Sequence, residues 1–181
     1  MRKVLYILGQ LDDEDVNWLA DVGQRRKVQP GEVLIEERKA GVEVLIVLEG
    51  SLSVSVLALG ELARLGAGEI VGEMSLIDSR PASASVTAVE PSTVLAIPKD
   101  VIQIKLNEDI GFAARFYRAV AVFLSGRMRG TVQKLGYGSD STDELDEEVE
   151  AEGELDLDVL DKVHLAGARF DRMLKRLLGT D

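Results

Sequence analysis

Gly72-Glu73-Met74-Ser75-Leu76-Ile77-Asp78-Ser79-Arg80-Pro81-Ala82-Ser83-Ala84-Ser85-Val86 decides how this 181-residue chain folds. A glycine closes a strand, a brief amphipathic turn follows, Pro81 breaks it, and a strand resumes. Set among strands, such a turn presents backbone N–H groups at its start, a seat for a phosphate. Gly72 would let the backbone approach a ligand closely, and the carboxylate of Glu73 would suit a ribose hydroxyl. Each residue also has a plainer reading. Gly72 serves equally as a turn glycine, Glu73 as a carboxylate favoured at a helix start, and Ser83 and Ser85 as the polar face of a strand.

Outward from this stretch the chain reads as short strands. All four prolines lie between Pro30 and Pro98, and glycines recur there at intervals near ten. Val44-Leu45-Ile46-Val47-Leu48 is a continuous apolar run ended by Gly50, and Leu52 to Val56 alternates apolar residues with serines. Ala84–Ala88 and Thr93–Ile97 read as further strands around Pro91. The flanks change period. Helices are expected from Asp12 to Val22, from Pro98 to about Leu106, and from an Asp109 cap to Leu135. Another is expected over 155–179, where Leu157, Leu160, Val163, Gly167, Phe170, Leu174 and Leu177 step by three or four. The expected fold is mainly β with flanking helices: a jelly-roll, or double-stranded β-helix, over 1–138 with a long closing helix. An acidic linker over 139–154 and the amphipathic helix 155–179 complete it.

The Gly72–Val86 stretch resembles the phosphate-binding cassette of cyclic nucleotide-binding domains, the β-roll sensors of catabolite activator proteins and of cyclic-nucleotide-regulated kinases and channels. Gln29-Pro30-Gly31-Glu32-Val33-Leu34-Ile35 is similar to the family's entry strand, and Leu45 to Leu52 to its glycine-turn hairpin. The resemblance spans roughly Leu8 to Tyr137 and implies a nucleotide site at Gly72, Glu73, Met74, Ser75, Arg80, Ala82, Ser83 and Ala84. By it, Glu73 accepts from the ribose 2′-hydroxyl, Ser83 lies beside the phosphate, and Ala84 lies near the position that helps choose the base. The implied ligand is cyclic AMP, cyclic GMP or a related nucleotide. The family's phosphate-pairing arginine falls on Ala82, a departure that removes a charge-assisted contact contributing ~1.5–3 kcal/mol. Arg80, two residues earlier, is a candidate replacement.

Composition narrows the remaining classes. The chain has no cysteine and one histidine, His164, so no thiolate or histidine-cluster metal site is expected, and no serine-hydrolase base lies in the roll. No Gly-rich loop with its lysine marks a kinase. No enzyme activity and no cofactor are therefore expected. The net charge of −11 is concentrated. Ser139 to Asp161 holds twelve acids and no base, leaving 20 acids against 21 bases elsewhere. No basic recognition helix for DNA can be placed in the acidic segment after Gly138. The longest apolar run, Ala119 to Leu124, is too short for a membrane, and the N-terminus is too short for a secretory signal, so a cytoplasmic protein is expected.

Two functions stand. One is a small-molecule sensor whose long helix transmits binding. The other is an adaptor with a vestigial pocket, its terminal helix and acidic segment taking a protein partner. The stripe Phe112, Phe116, Val120, Phe123, Leu124, Met128, Val132 and Leu135 leads to an expected homodimer through helix 109–135. Attraction between the acidic linker and bases of that helix (Arg115, Arg118, Arg127, Arg129 and Lys134) is expected to dock the terminal helix, more tightly at low salt.

Overall fold

Val44 to Leu48 is apolar at every position because both faces of its strand are covered. In the computed structural model, which describes residues 4–78, 80–136 and 157–179, this run lies in β3 (Glu43–Glu49). Val44, Ile46 and Leu48 pack on the helical side, while Leu45 and Val47 face the interior between two sheets. The other strands are β1 (Gln24–Val28), β2 (Val33–Ile35), β4 (Leu52–Val56), β5 (Gly60–Leu65), β6 (Ile70–Val71), β7 (Ser85–Ala88) and β8 (Ser92–Pro98). They form two four-stranded antiparallel sheets, ordered β1-β8-β3-β6 and β2-β7-β4-β5. Leu52, Leu65, Val71, Val86 and Ala88 join Leu45 and Val47 between the sheets. The alternating serines do not all face outward as expected: Ser53 is buried, and its Oγ donates to Glu61 Oε2 at 2.7 Å.

The helices are α1 (Val4–Gln10), α2 (Asp13–Val22), α3 (Met74–Ile77), α4 (Lys99–Glu108), α5 (Ile110–Gly136) and α6 (Leu157–Leu178). Asp12 and Asp15 start α2 as a reciprocal capping box, and Asp109 Oδ1 accepts the Phe112 N–H at 2.8 Å to start α5. The expected mainly-β fold with flanking helices is the fold found. The linker 139–154 lies outside the described residues, and α6 spans most of 155–179.

The helix stripes meet a different fate from the one expected. Val4 to Leu8, too short for a signal, begins a helix that the sequence reading did not anticipate. α1 packs between α5 and α6, with Ile7 and Leu8 buried. Phe112, Phe116, Val120 and Phe123 of α5 are buried in this same intrachain core, and Leu124 packs against it, so this part of the stripe that motivated a homodimer is covered within one chain. Met128 is 70% exposed, and the side chains of Val132 and Leu135 lie outside those described. The face of α6, expected either to dock or to take a partner, is seated within the chain. Ala166, Phe170 and Met173 are buried, with Leu174 and Leu177 packed against the core.

Most of the charges that accompany this seating are α6's own arginines. Arg169, its side chain 9% exposed, donates to the carbonyls of Leu8 (2.9 Å) and Leu11 (2.7 Å) and to Asp13 Oδ1 (2.6 Å). It thus satisfies carbonyls left over at the C-terminal end of α1 and ties them to the first turn of α2. Arg172 pairs with Asp13 at 3.2 Å, Arg176 with Asp21, and Arg25 donates to the Leu177 carbonyl at 2.6 Å. Among the described residues the carboxylates paired with α6 belong to α2, while the acidic linker expected to dock it lies outside the described residues. Arg115, expected to attract the linker, instead grips Asp15 in a fork at 2.6 and 2.9 Å. Burial alone would raise the Asp15 carboxyl, but hydrogen bonds from Arg115 and the Asp12 N–H outweigh it and hold it below the usual range.

Candidate functional site

The cassette begins where β6 ends. Gly72 has φ +87°, and a Cβ there would lie 2.4 Å from the Glu43 carbonyl oxygen of β3. Only glycine combines that backbone angle with that approach. Ser75 Oγ donates back to the Gly72 carbonyl at 2.7 Å, and Leu76 is buried, so the single turn α3 is pinned at both its hydroxyl and its apolar side. The row of unpaired N–H groups expected at this helix start is shorter than anticipated. The Ser75 and Leu76 N–H groups already close onto the carbonyls of Gly72 (3.2 Å) and Glu73 (3.0 Å).

Glu73 is 2% exposed and makes no capping hydrogen bond to α3. It is therefore a buried carboxylate at the head of the cassette, not a solvated charge balancing a helix start. Met74 and Ile77, on the same turn, are about half exposed, at 47% and 49%. Arg80 is exposed, with its N–H on Asp78 Oδ1 at 3.2 Å and its Nε 3.7 Å from the same carboxylate. Ser83 is exposed, and Ala82 and Ala84 are half-buried.

The sequence reading missed what lies across this cassette: the loop between β2 and β3. Glu37 N–H donates to Ser85 Oγ at 3.0 Å. Arg38 N–H donates to the Ala82 carbonyl at 2.8 Å, and Ala82 N–H donates to the Lys39 carbonyl at 2.8 Å. Farther on, Gly41 passes so close to Ser75 that a Cβ would lie 3.2 Å from that hydroxyl. Residues 37–41 therefore run from the second half of the cassette to its first turn. Glu37 Oε2 also accepts the Leu57 N–H at 2.8 Å, tying the loop to the end of β4. The available signal was the basic pair Arg38-Lys39 among acids. Its backbone geometry was unreadable, because arginine does not advertise a positive φ as glycine does.

The fold has known counterparts. Residues 25–109 match the family described as cyclic nucleotide-binding domain, a span that holds the whole cassette and the loop across it. The β-roll belongs to the cyclic nucleotide-binding domain family. A cyclic AMP receptor protein of Thermus thermophilus is 35% identical over 91 residues, covering 48% of this chain and 42% of that relative. A cAMP-dependent protein kinase regulatory subunit of Yarrowia lipolytica is 33% identical over 102 residues, covering 56% of this chain and 27% of the relative. The chain thus spans less than half the length of either. The crystal structure of Thermus thermophilus catabolite activator protein superimposes with a TM-score of 0.61 at 27% identity, covering 72% of this chain and 62% of the other. Among the described residues no group of His, Cys, Asp and Glu is placed to hold a metal, and no helix is long and apolar enough to cross a membrane.

Proposed function

We infer that this chain is a non-catalytic sensor module whose β-roll binds a cyclic nucleotide and acts in the cytoplasm without contacting DNA. The observation that carries this reading is the buried Glu73 beside the left-handed Gly72, within a span that matches a nucleotide-binding family. Glu73 is the acceptor for the ribose hydroxyl, the exposed Ser83 hydroxyl lies beside the phosphate, and Ala84 lies near the base. Two relatives are named for cyclic AMP, which makes it the first ligand to test. Ala82 itself contributes no charge to that phosphate. Calorimetry with cyclic AMP and cyclic GMP tests the reading. Binding by the wild type is expected, and Ala82→Arg should tighten it by roughly tenfold, the equivalent of one charge-assisted contact. A thermal-shift screen should show the ligand-bound midpoint a few degrees higher. Absence of binding in both proteins would overturn the sensor reading and favour the adaptor, with segment 139–179 as its contact to a protein partner.

A further inference from the structure

We propose that Arg38 and Lys39 supply the positive charge facing the cyclic phosphate, in place of an arginine within the cassette. The inference rests on the cyclic nucleotide reading and adds to it a pair of binding residues outside the motif. Its first support is position. The reciprocal backbone hydrogen bonds between Ala82 and the Arg38-Lys39 pair place both basic residues one hydrogen bond away from Ala82. A long side chain starting there reaches the volume an arginine at position 82 would occupy. Glu37 on Ser85 and Gly41 against Ser75 anchor the loop on either side, so the pair is held over the cassette by the fold.

The second support is strain. Arg38, with φ +66°, is the one non-glycine among the described residues with a left-handed backbone. Such conformations persist where the surroundings over-determine them, and they concentrate at ligand clamps. The third is availability. The Arg38 side chain is 81% exposed, its nearest carboxylate contact being Nε to Glu37 Oε1 at 3.5 Å, and the other oxygen of that carboxylate is engaged by Leu57. A guanidinium offers several donors in a plane, suited to a phosphate. Lys39, 67% exposed, pairs with Glu36 at 2.6 Å and contributes charge to the same turn. Arg80 is as exposed, with its Nε 3.7 Å from Asp78, but it has neither the left-handed backbone nor the reciprocal hydrogen bonds to Ala82.

Titration calorimetry with cyclic AMP on four proteins tests the proposal: wild type, Arg38→Gly/Lys39→Gln, the same double variant carrying Ala82→Arg, and Arg80→Gln. Glycine relaxes the strained backbone, so the double variant should melt no lower than wild type. Its affinity should fall at least tenfold, Ala82→Arg should restore it, and Arg80→Gln should bind as wild type does. Undiminished binding by the double variant overturns the proposal while leaving the cyclic nucleotide reading intact, and so does a loss confined to Arg80→Gln. Absence of binding in the wild type overturns the proposal too. Ala82→Arg alone then decides whether the cyclic nucleotide reading falls with it.

Discussion

Two arginines in this molecule meet oxygen acceptors in opposite ways. Arg169 of α6 is buried, and its donors are taken up by two backbone carbonyls and a carboxylate within 2.6–2.9 Å. Arg38, on the loop across the cassette, is exposed, strained in its backbone, and loosely met by one carboxylate at 3.5 Å. A charge taken out of water must be fully paired, or its desolvation goes uncompensated. A charge held at the surface by a strained backbone lies under no such demand and stays open to a ligand. On the proposed reading, the helical cap and the cassette divide two tasks, cohesion and recognition, between regions with different chemistry.

Breaking the cap should cost most. Phe170 is fully buried in the core shared by α1, α5 and α6, so Phe170→Ala should destabilise the protein by ~3–5 kcal/mol. Urea denaturation would measure it. A change near zero would mean that α6 is not seated in solution. Arg169→Ala should follow at about 2–3 kcal/mol, because it leaves the Leu8 and Leu11 carbonyls without their charged donor. If cap and cassette are separate in function, neither change should weaken cyclic AMP binding at temperatures where the variants stay folded.

The cassette and the cap also differ in how readily the sequence reveals them. Gly72, Glu73 and Pro81 stand in a fixed local order, and the flanking strands announce themselves through alternation and turn residues. Local rules therefore suffice for the roll. The cap depends on partners far apart in sequence. Val4 to Leu8 has no periodic polar face and no capping residue, because α5 and α6 cover it from two sides. Nothing near Arg169 in sequence indicates that it will meet Leu8, Leu11 and Asp13, more than 150 residues away. The α5 stripe was visible, but its width was read as a demand for a second copy, and nothing local showed that the chain's own helices bury Phe112 to Phe123. Loop 37–41 was missed for a similar reason, since its role comes from hydrogen bonds to residues 43 to 48 positions later.

A smaller perturbation separates the two regions from the cassette side. Gly72→Ala places a Cβ 2.4 Å from the Glu43 carbonyl and forces alanine into a left-handed backbone, at a cost of about 2 kcal/mol. The displacement should fall on α3 and the start of β3, lowering cyclic AMP affinity while α6 stays docked. Hydrogen exchange would resolve this. Lost protection in α6 with retained binding would invert the division drawn between cap and cassette.

The smallest effect expected is that of salt and pH on α6 itself. Its seat is apolar at Ala166, Phe170 and Met173, with Arg169 buried beside them, and charge screening does not act on those contacts. The pairs open to solvent are Arg172 with Asp13 and Arg176 with Asp21, side chains between 49% and 60% exposed. Exposed pairs contribute ~0–1 kcal/mol each, and the Debye length falls from ~10 Å at 0.1 M salt to ~3 Å at 1 M. Amide protection in α6 should therefore fall by about thirtyfold at most over that range. Acid acts through the same carboxylates. Asp13 is held below its ordinary range, chiefly by the Arg169 hydrogen bond, and Asp15 is lowered as well. Groups lowered by folding add stability above their unfolded values near ~3.9 and lose it as pH drops toward the folded ones. Protection of α6 should thus be level from pH 8 to 5 and decline below about pH 4. Complete loss of protection at 1 M salt and neutral pH would show that ionic attraction, with the acidic linker as its obvious source, holds the helix in place of the apolar seat.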